Sequence, residues 1–134
     1  ELKKESDLII LVSSIQVIPT EHIFEKWHNF PHERIRLLKA LNNAKGNVII
    51  LSGDRHKAGL YKTGNIIEMT SSSMNKPILR PIAKLLDIFL KEKDEFLIGE
   101  MYSRENYGIL SIDKEKIVLN LKDIDGNTII SEEI

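Results

Sequence analysis

Residues 48–51 form an uninterrupted apolar run, Val-Ile-Ile-Leu, and this run most constrains the fold. Three of its four side chains are β-branched, which favours a strand buried on both faces, as in a parallel sheet. A Ser-Gly pair follows and allows a tight turn, and Asp54 and His56 come next. In an extended backbone these two side chains point the same way, just past the carboxyl end of the strand, where open α/β sheets place their ligands.

A carboxylate oxygen and an imidazole nitrogen that converge on one point are suitable ligands for a transition metal in a hydrolytic site. Asp-x-His pairs are also short and common in proteins. The pair Asp54 and His56 therefore has two interpretations at this point: metal ligation, and a surface turn with an Asp cap and an incidental His.

A second apolar run, residues 8–12, also ends in small polar residues and predicts a second buried strand, parallel to the first. Between the two runs, Pro31 is suited to a first helical position, and Ile35, Leu38 and Leu41 lie on one stripe of an amphipathic helix. Strand, helix and strand in this order make a βαβ-like unit with an expected right-handed crossover. The chain is therefore predicted to have an α/β fold.

The rest of the chain adds a long loop, a further helix and a change of sheet type. Residues 15–30 show no period and predict an ordered loop that contains Gln16 and His22. A strand is predicted at 65–70 and a second helix from Pro81 to residue 92. The tail predicts an antiparallel meander with strands at 96–101, 107–112, 117–121 and 128–130.

The composition excludes several classes of protein. Nineteen basic and twenty acidic side chains give a net charge of -1, which argues against a nucleic-acid-binding surface. The absence of cysteine excludes disulfides and thiol nucleophiles, and no apolar run approaches the length of a membrane span. The chain opens at Glu1 without an initiator Met, so a true start upstream is expected, and the compartment stays open, secreted and periplasmic locations included.

Several stretches of the chain together resemble one known family. Residues 13–17 and 25–38 are similar to the segment before the last metal motif of PhoD-like phosphatases, the alkaline phosphatase D branch of the calcineurin-like metallophosphoesterases. Residues 51–56 contain Gly-Asp-Arg-His where that family has Gly-Asp-x-His. Residues 68–72 resemble its Glu-Leu-Thr-Ser-Ser strand, and residues 105–108 resemble its Asn-aromatic-Gly segment.

This resemblance implies a phosphoric ester hydrolase, a mono- or diesterase, whose cofactors are two or more metal ions of the iron, calcium, manganese or zinc type. In such enzymes the metals bind phosphoryl oxygens and lower the pKa of a bridging water. Carried over to this chain, the resemblance makes Asp54 and His56 metal ligands. Gln16 and Asn106 match family positions, and with His22 they are candidates to contact the substrate or to support the ligands. No catalytic acid or base is identified.

The earlier metal motifs of the family have no counterpart here, and two metals need roughly six to eight protein ligands. We therefore expect residues 1–134 to be the C-terminal half of an αββα metallophosphoesterase sandwich, a mixed sheet ending in an antiparallel meander, with no internal domain boundary. A missing N-terminal half would supply the other ligands, and the isolated chain would be inactive. The alternative is a non-catalytic remnant, or an α/β domain that binds a partner and has no hydrolase activity.

Overall fold

The computed structural model describes residues 7–75 and 93–134. The second helix, predicted from Pro81 to residue 92, lies outside the described residues. In chain order the elements are β1 (Leu8–Val12), a 3₁₀ turn (Trp27–Asn29), α1 (Pro31–Asn42), β2 (Asn47–Ser52), β3 (Ala58–Thr63), β4 (Ile66–Ser71), β5 (Leu97–Tyr102), β6 (Asn106–Ile112), β7 (Ile117–Asp123) and β8 (Thr128–Glu133).

Five strands form one mixed sheet in the order β1-β2-β4-β3-β5. β1, β2 and β4 run parallel, with Ile10 opposite Ile49 and Ile50 opposite Glu68. β3 is antiparallel to both of its neighbours, β4 and β5. The βαβ unit and the strand after it are confirmed, since α1 connects two adjacent parallel strands.

The sequence pattern does not predict β3, because Gly59 and Lys62 interrupt its apolar residues. In the structure this strand lies between β4 and β5, and Ala58, Leu60 and Tyr61 are fully buried. At Gly59 the backbone lies so close to the Met101 side chain that an added Cβ atom would force this flexible side chain to shift. Strand pairing across the sheet therefore outweighs the weak strand propensity of the segment.

The two faces of the mixed sheet pack against different layers. On one face, α1 and the preceding loop contribute buried residues such as Leu41, Val17 and Ile18. On the other face, Leu119 and Leu121 of β7 pack against the sheet. The described residues thus form three layers, and the predicted α/β fold is confirmed.

The predicted meander needs one correction. β6, β7 and β8 form a separate three-stranded antiparallel sheet, as expected. β5, which was predicted as the first strand of this meander, instead pairs with β3 in the mixed sheet. The reason is that Leu97 packs against the core on the α1 side and Ile98 against the core on the β7 side. Only a strand of the middle layer contacts both cores.

Burial of the two parallel strands also differs from the expectation for one of them. In β2, Val48, Ile49 and Ile50 are fully buried, as predicted for a strand covered on both faces. β1 is an edge strand, and its Ile10 and Val12 are 44% and 76% exposed. β1 runs parallel to β2, as predicted, but it is only partly buried, because no strand or layer among the described residues covers these two side chains.

We expect the 134-residue chain to self-associate and to bind a hydrophobic dye, because β1 is an edge strand among the described residues and carries exposed apolar side chains. Val12→Lys should lower dye binding and shift sedimentation toward the monomer without changing the circular dichroism spectrum. Ile35→Lys is the matched control, because Ile35 is also apolar and exposed (61%) but belongs to α1 and not to the edge strand. A wild-type chain that sediments as a stable monomer and binds no dye would contradict the half-domain interpretation.

Candidate functional site

The candidate ligands follow the carboxyl end of β2, in the middle of three parallel strands. β1, β2 and β4 end at Val12, Ser52 and Ser71, so their carboxyl ends meet at one edge of the sheet. The Ser13 amide donates to the Leu51 carbonyl at 2.9 Å and continues the β1–β2 pairing to this edge. Asp54 therefore lies just past the carboxyl end of β2, where the sequence pattern predicts a ligand site.

The backbone at this turn is not extended, which corrects the reason given above for the convergence of Asp54 and His56. Asp54 has φ +60 and His56 has φ +51, both in the left-handed region. These are the two non-glycine residues with positive φ among the described residues. Both are exposed, whereas Arg55 between them is buried. Convergence of the carboxylate and the imidazole on one metal therefore stays a prediction.

Such a conformation costs energy that glycine would avoid. A left-handed conformation costs a non-glycine residue roughly 1–2 kcal/mol, less for Asp than for His. Strained backbone of this kind is concentrated at active sites and ligand clamps. Two left-handed non-glycine residues in one short turn therefore mark this turn as a candidate functional site.

Arg55 ties this turn to the loop that precedes α1. Its amide donates to the Ser72 hydroxyl at 3.0 Å, and its guanidinium carbon lies 4.8 Å from the centre of the Phe24 ring. Such a cation–π contact is favourable and directional. Arg55 thus holds the loop beside the candidate ligands, which agrees with a structural role for this side chain.

His22 lies inside the same loop and is buried, and neither ring nitrogen makes a well-formed hydrogen bond with the described residues. Burial, together with the positive charges of Arg55 and Lys26, lowers the pKa of His22 to about 3. The Asp94 carboxylate and the backbone of Phe24 oppose this shift. His22 is therefore neutral at neutral pH, and it packs at 6.2 Å from the Phe24 ring.

Gln16 belongs to a buried polar cluster that sequence reasoning found only in part. Its Nε2 donates to the Thr70 hydroxyl at 2.8 Å, and the Thr70 and Ser52 hydroxyls lie 2.9 Å apart. Gln16 thus reaches the residue that precedes Gly53 through two hydroxyl groups.

Glu68 is the residue that the sequence analysis missed. Its fully buried carboxylate accepts the Val17 amide at 3.0 and 3.1 Å and the Ile18 amide at 2.6 Å. Arg34 donates to the carbonyls of the same two residues at 2.8 and 2.6 Å. A single carboxylate within an otherwise apolar strand was the signal available, because a buried charge requires specific partners.

Burial raises the pKa of Glu68 to about 7. Hydrogen bonds from Ser52 and from the Ile18 and Val17 amides, and then the positive charge of Arg34, act in the opposite direction. Desolvation prevails because the side chain is completely removed from water.

Asn106, at the start of β6, connects this strand to the end of β4 by a side-chain hydrogen bond. Its Oδ1 accepts the Ser71 hydroxyl at 2.9 Å, and its Nδ2 donates to the Arg104 carbonyl at 2.7 Å. It also lines a cleft of about 460 Å³, together with Ser52, Ser72 and Tyr107. This cleft lies between the two sheets and adjoins the Gly53–His56 turn through Ser52 and Ser72.

The described residues do not complete a metal site. Asp54 and His56 have the donor types that a transition metal accepts. However, residues 7–75 and 93–134 contain no group of three or more His, Cys, Asp or Glu side chains placed to hold an ion. Asp54 and His56 are therefore suitable types of ligand for a metal, but two side chains are too few to form a metal site.

The chain is similar in fold to PhoD. The solved structure titled "Structure of PhoD" superimposes with a TM-score of 0.50 at 14% sequence identity, over 90% of this chain. The match covers 31% of the PhoD chain, so the present chain spans about a third of that protein. No family model matches the sequence, and no curated protein matches it. The similarity therefore shows the fold alone.

Glu68 and His22 contribute opposite pH dependences to the free energy of unfolding. Glu68 has a pKa of about 7 against an ordinary 4.5, so its contribution to stability is full below pH 4.5 and is lost as the pH rises through 7. His22 has a pKa of about 3 against 6.5, so its contribution is full above pH 6.5 and is lost as the pH falls toward 3. Each group changes the free energy of unfolding by at most about 1.4 kcal/mol per pH unit. The two changes have opposite signs in the pH range that both groups share.

We therefore expect Glu68→Gln and His22→Leu to change the pH dependence of the free energy of unfolding in opposite directions between pH 4.5 and 6.5. Relative to wild type, stability from urea denaturation should rise with pH in Glu68→Gln and fall with pH in His22→Leu. Glu33→Gln, on the exposed surface of α1, is the control and should follow the wild-type profile. Profiles that run parallel to wild type in both variants would contradict the assigned ionisation states.

The strain at Asp54 gives a second expectation. The free energy of unfolding should be about 1 kcal/mol higher in Asp54→Gly than in Asp54→Ala, because glycine adopts φ +60 without a Cβ clash. Both variants remove the carboxylate, so the comparison isolates the backbone term. Chemical denaturation measures it, and equal stability of the two variants would show that the turn is not strained.

Proposed function

We propose that this chain carries part of a metal-dependent phosphoric ester hydrolase, a phosphomono- or diesterase, in which Asp54 and His56 are metal ligands. The observation that carries the proposal is the Gly53–His56 turn itself. It follows the central parallel strand at the ligand-binding edge of the sheet, and it exposes a carboxylate and an imidazole on strained backbone.

Two further observations support the proposal. The fold is similar to that of PhoD over 90% of this chain, and the Gly-Asp-x-His resemblance falls on the strained turn. The cleft between the sheets, lined by Ser52, Ser72 and Asn106, adjoins that turn and offers hydroxyl and amide groups to a substrate. We assign the ester portion of the substrate to this cleft.

The cofactors proposed are two or more metal ions of the iron, calcium, manganese or zinc type. Since this chain offers two ligands in the described residues, the other ligands come from outside it in the proposal. When bound, such ions would supply Lewis-acid activation of the phosphoryl group. The chain's own residues orient the two ligands: Arg55 anchors the turn, and Ser52 and Ser72 hold its two sides.

A second candidate function is partner binding by an α/β domain without hydrolase activity. The exposed edge strand β1, with Ile10 and Val12, favours it, because such edges pair with another chain. No helix that the structure describes has the length and apolarity to span a membrane. Metal binding distinguishes the two functions, because only the hydrolase requires the side chains of Asp54 and His56.

The test is the binding of Mn²⁺ to the 134-residue chain, followed by paramagnetic broadening of amide signals. We expect broadening centred on residues 53–57, and a loss of at least about tenfold in affinity in Asp54→Ala and in His56→Ala, since even residues that only support metal ligands reach this range. His28→Ala is the matched control, because His28 is an exposed histidine outside the turn.

The isolated chain should show no metal-dependent hydrolysis of a generic aryl phosphate above background, because two ligands do not hold two metals. Broadening that is unaffected by Asp54→Ala and His56→Ala would refute the proposed site. Robust turnover that Asp54→Ala abolishes would show instead that the chain is a complete enzyme.

A further inference from the structure

The cleft of about 460 Å³ between the two sheets has a lining without charge. None of the described residues that line it is acidic or basic. Two of its polar side chains, Ser71 and Asn106, are bonded to each other at 2.9 Å, and Asn106 also donates to the Arg104 carbonyl at 2.7 Å. The described lining therefore offers no counter-charge to an ionic group, and part of its hydrogen-bonding capacity is already engaged.

Methionine side chains contribute much of the apolar lining of this cleft. Met69 and Met74 both line it, and they are two of the three methionines in the chain. Met69 is buried and Met74 is 72% exposed, so the first belongs to the floor of the cleft and the second to its rim. Thioether groups are flexible and polarisable, and they make favourable contacts with aromatic rings. The apolar lining is therefore suited to an aromatic group.

Gly108 of β6 lies directly against the Met69 thioether. A Cβ atom at position 108 would be 2.9 Å from the Met69 methyl carbon and 3.0 Å from its sulfur, so a larger residue would force this side chain to shift. Gly108 itself is exposed and lines the cleft. Because it has no side chain, the β6 backbone forms a flat surface beside Met69, and a flat surface favours a planar group.

The methionine-lined part of the cleft lies close to the candidate metal ligands. In the pairing of β2 with β4, Leu51 is opposite Met69, and both residues line the cleft. Leu51 precedes the Gly53–His56 turn by two residues, which is roughly 7 Å along a strand. A phosphoryl group held at the turn would therefore have the alcohol portion of its ester beside Met69.

We propose that this cleft binds an uncharged aromatic ring, the alcohol portion of an aryl or heteroaryl phosphate ester, against Met69, Met74 and the backbone of Gly108. The inference rests on the proposed function, which assigns the ester portion to the cleft, and it adds the chemical class of that portion. A charged group would find no counter-charge in the described lining, and a saturated ring would lack the contacts between sulfur and an aromatic face. A polyol would bury hydroxyl groups against methionine.

The test is the binding of phenol to the 134-residue chain, with EDTA present and in a Val12→Lys background that limits self-association. The methionine methyl groups carry a carbon-13 label, so the three methionines give three NMR signals. Phenol should shift the Met69 and Met74 signals saturably through its ring current and leave the Met101 signal unchanged. Cyclohexanol, a saturated ring of similar size, should bind more weakly by about threefold or more, since sulfur–aromatic contacts supply a difference of this size. Glycerol and benzoate should not shift these signals.

Two variants with matched controls locate the binding in the cleft. Gly108→Ala should displace the Met69 thioether and weaken phenol binding several-fold, whereas Gly59→Ala crowds Met101 in the same way outside the cleft lining and should not. Met69→Leu nearly conserves the apolar volume, so the fold should be kept. It should reduce the preference for phenol over cyclohexanol, followed at the Met74 signal, and Met101→Leu should leave this preference unchanged.

Phenol that shifts no methionine signal, or that shifts all three alike, would overturn the inference. Equal binding of phenol and cyclohexanol, glycerol or benzoate would do the same, as would phenol binding that neither Gly108→Ala nor Met69→Leu changes. If phenol binds in the cleft but Mn²⁺ does not bind at Asp54 and His56, the proposed function fails and the aromatic site stands. If Mn²⁺ binds there and phenol does not bind, the proposed function stands and the inference fails.

Discussion

The Glu68 carboxylate is the group on which the arrangement of this molecule depends. It holds the amides of Val17 and Ile18 against the middle of the sheet, fifty and fifty-one residues away in the chain. Arg34 satisfies the carbonyls of the same residues, so a buried loop without regular structure leaves neither amides nor carbonyls unpaired there. An unpaired buried backbone group is costly, and this clamp removes the cost for the segment that crosses the sheet edge.

The clamp determines what stands next to the candidate ligands. With Val17 and Ile18 held down, the following segment passes over the carboxyl ends of the parallel strands before α1 begins at Pro31. The backbone amides of Thr20 and Glu21 donate to the Asp94 carboxylate, and the Phe24 ring lies over the Arg55 guanidinium. The loop is thus anchored along its length by side chains from other elements. This anchoring explains how a segment without periodicity is an ordered wall of the site.

Cover of the mixed sheet is unequal, and this inequality bears on function. β2 and β4 are covered by α1 on one side and by β7 on the other, whereas β1 exposes Ile10 and Val12. Exposed Val12 is the last residue of β1, at the sheet edge where the candidate ligands Asp54 and His56 follow β2. Incomplete cover and the candidate ligands thus occur at the same part of the sheet, and the match to PhoD spans about a third of that chain.

Short-range patterns in the sequence predict the elements that carry their own signal. The apolar runs of β1 and β2, the proline at the start of α1 and the turn residues of the C-terminal meander determine these elements locally. The position of Asp54 and His56 after β2 is predicted for the same reason, since parallel strands present their carboxyl ends at one edge.

Tertiary structure decided the features that depend on partners distant in sequence. β3 is a strand because β4 and β5 pair with it, although Gly59 and Lys62 weaken its own signal. β5 leaves the meander because its side chains pack in two cores at once. The left-handed backbone at Asp54 and His56 and the buried charge of Glu68 also depend on surrounding structure. Local propensity determines where a segment is helical or extended, but the energy that holds a strained turn or a buried carboxylate comes from contacts that form only when the chain is folded.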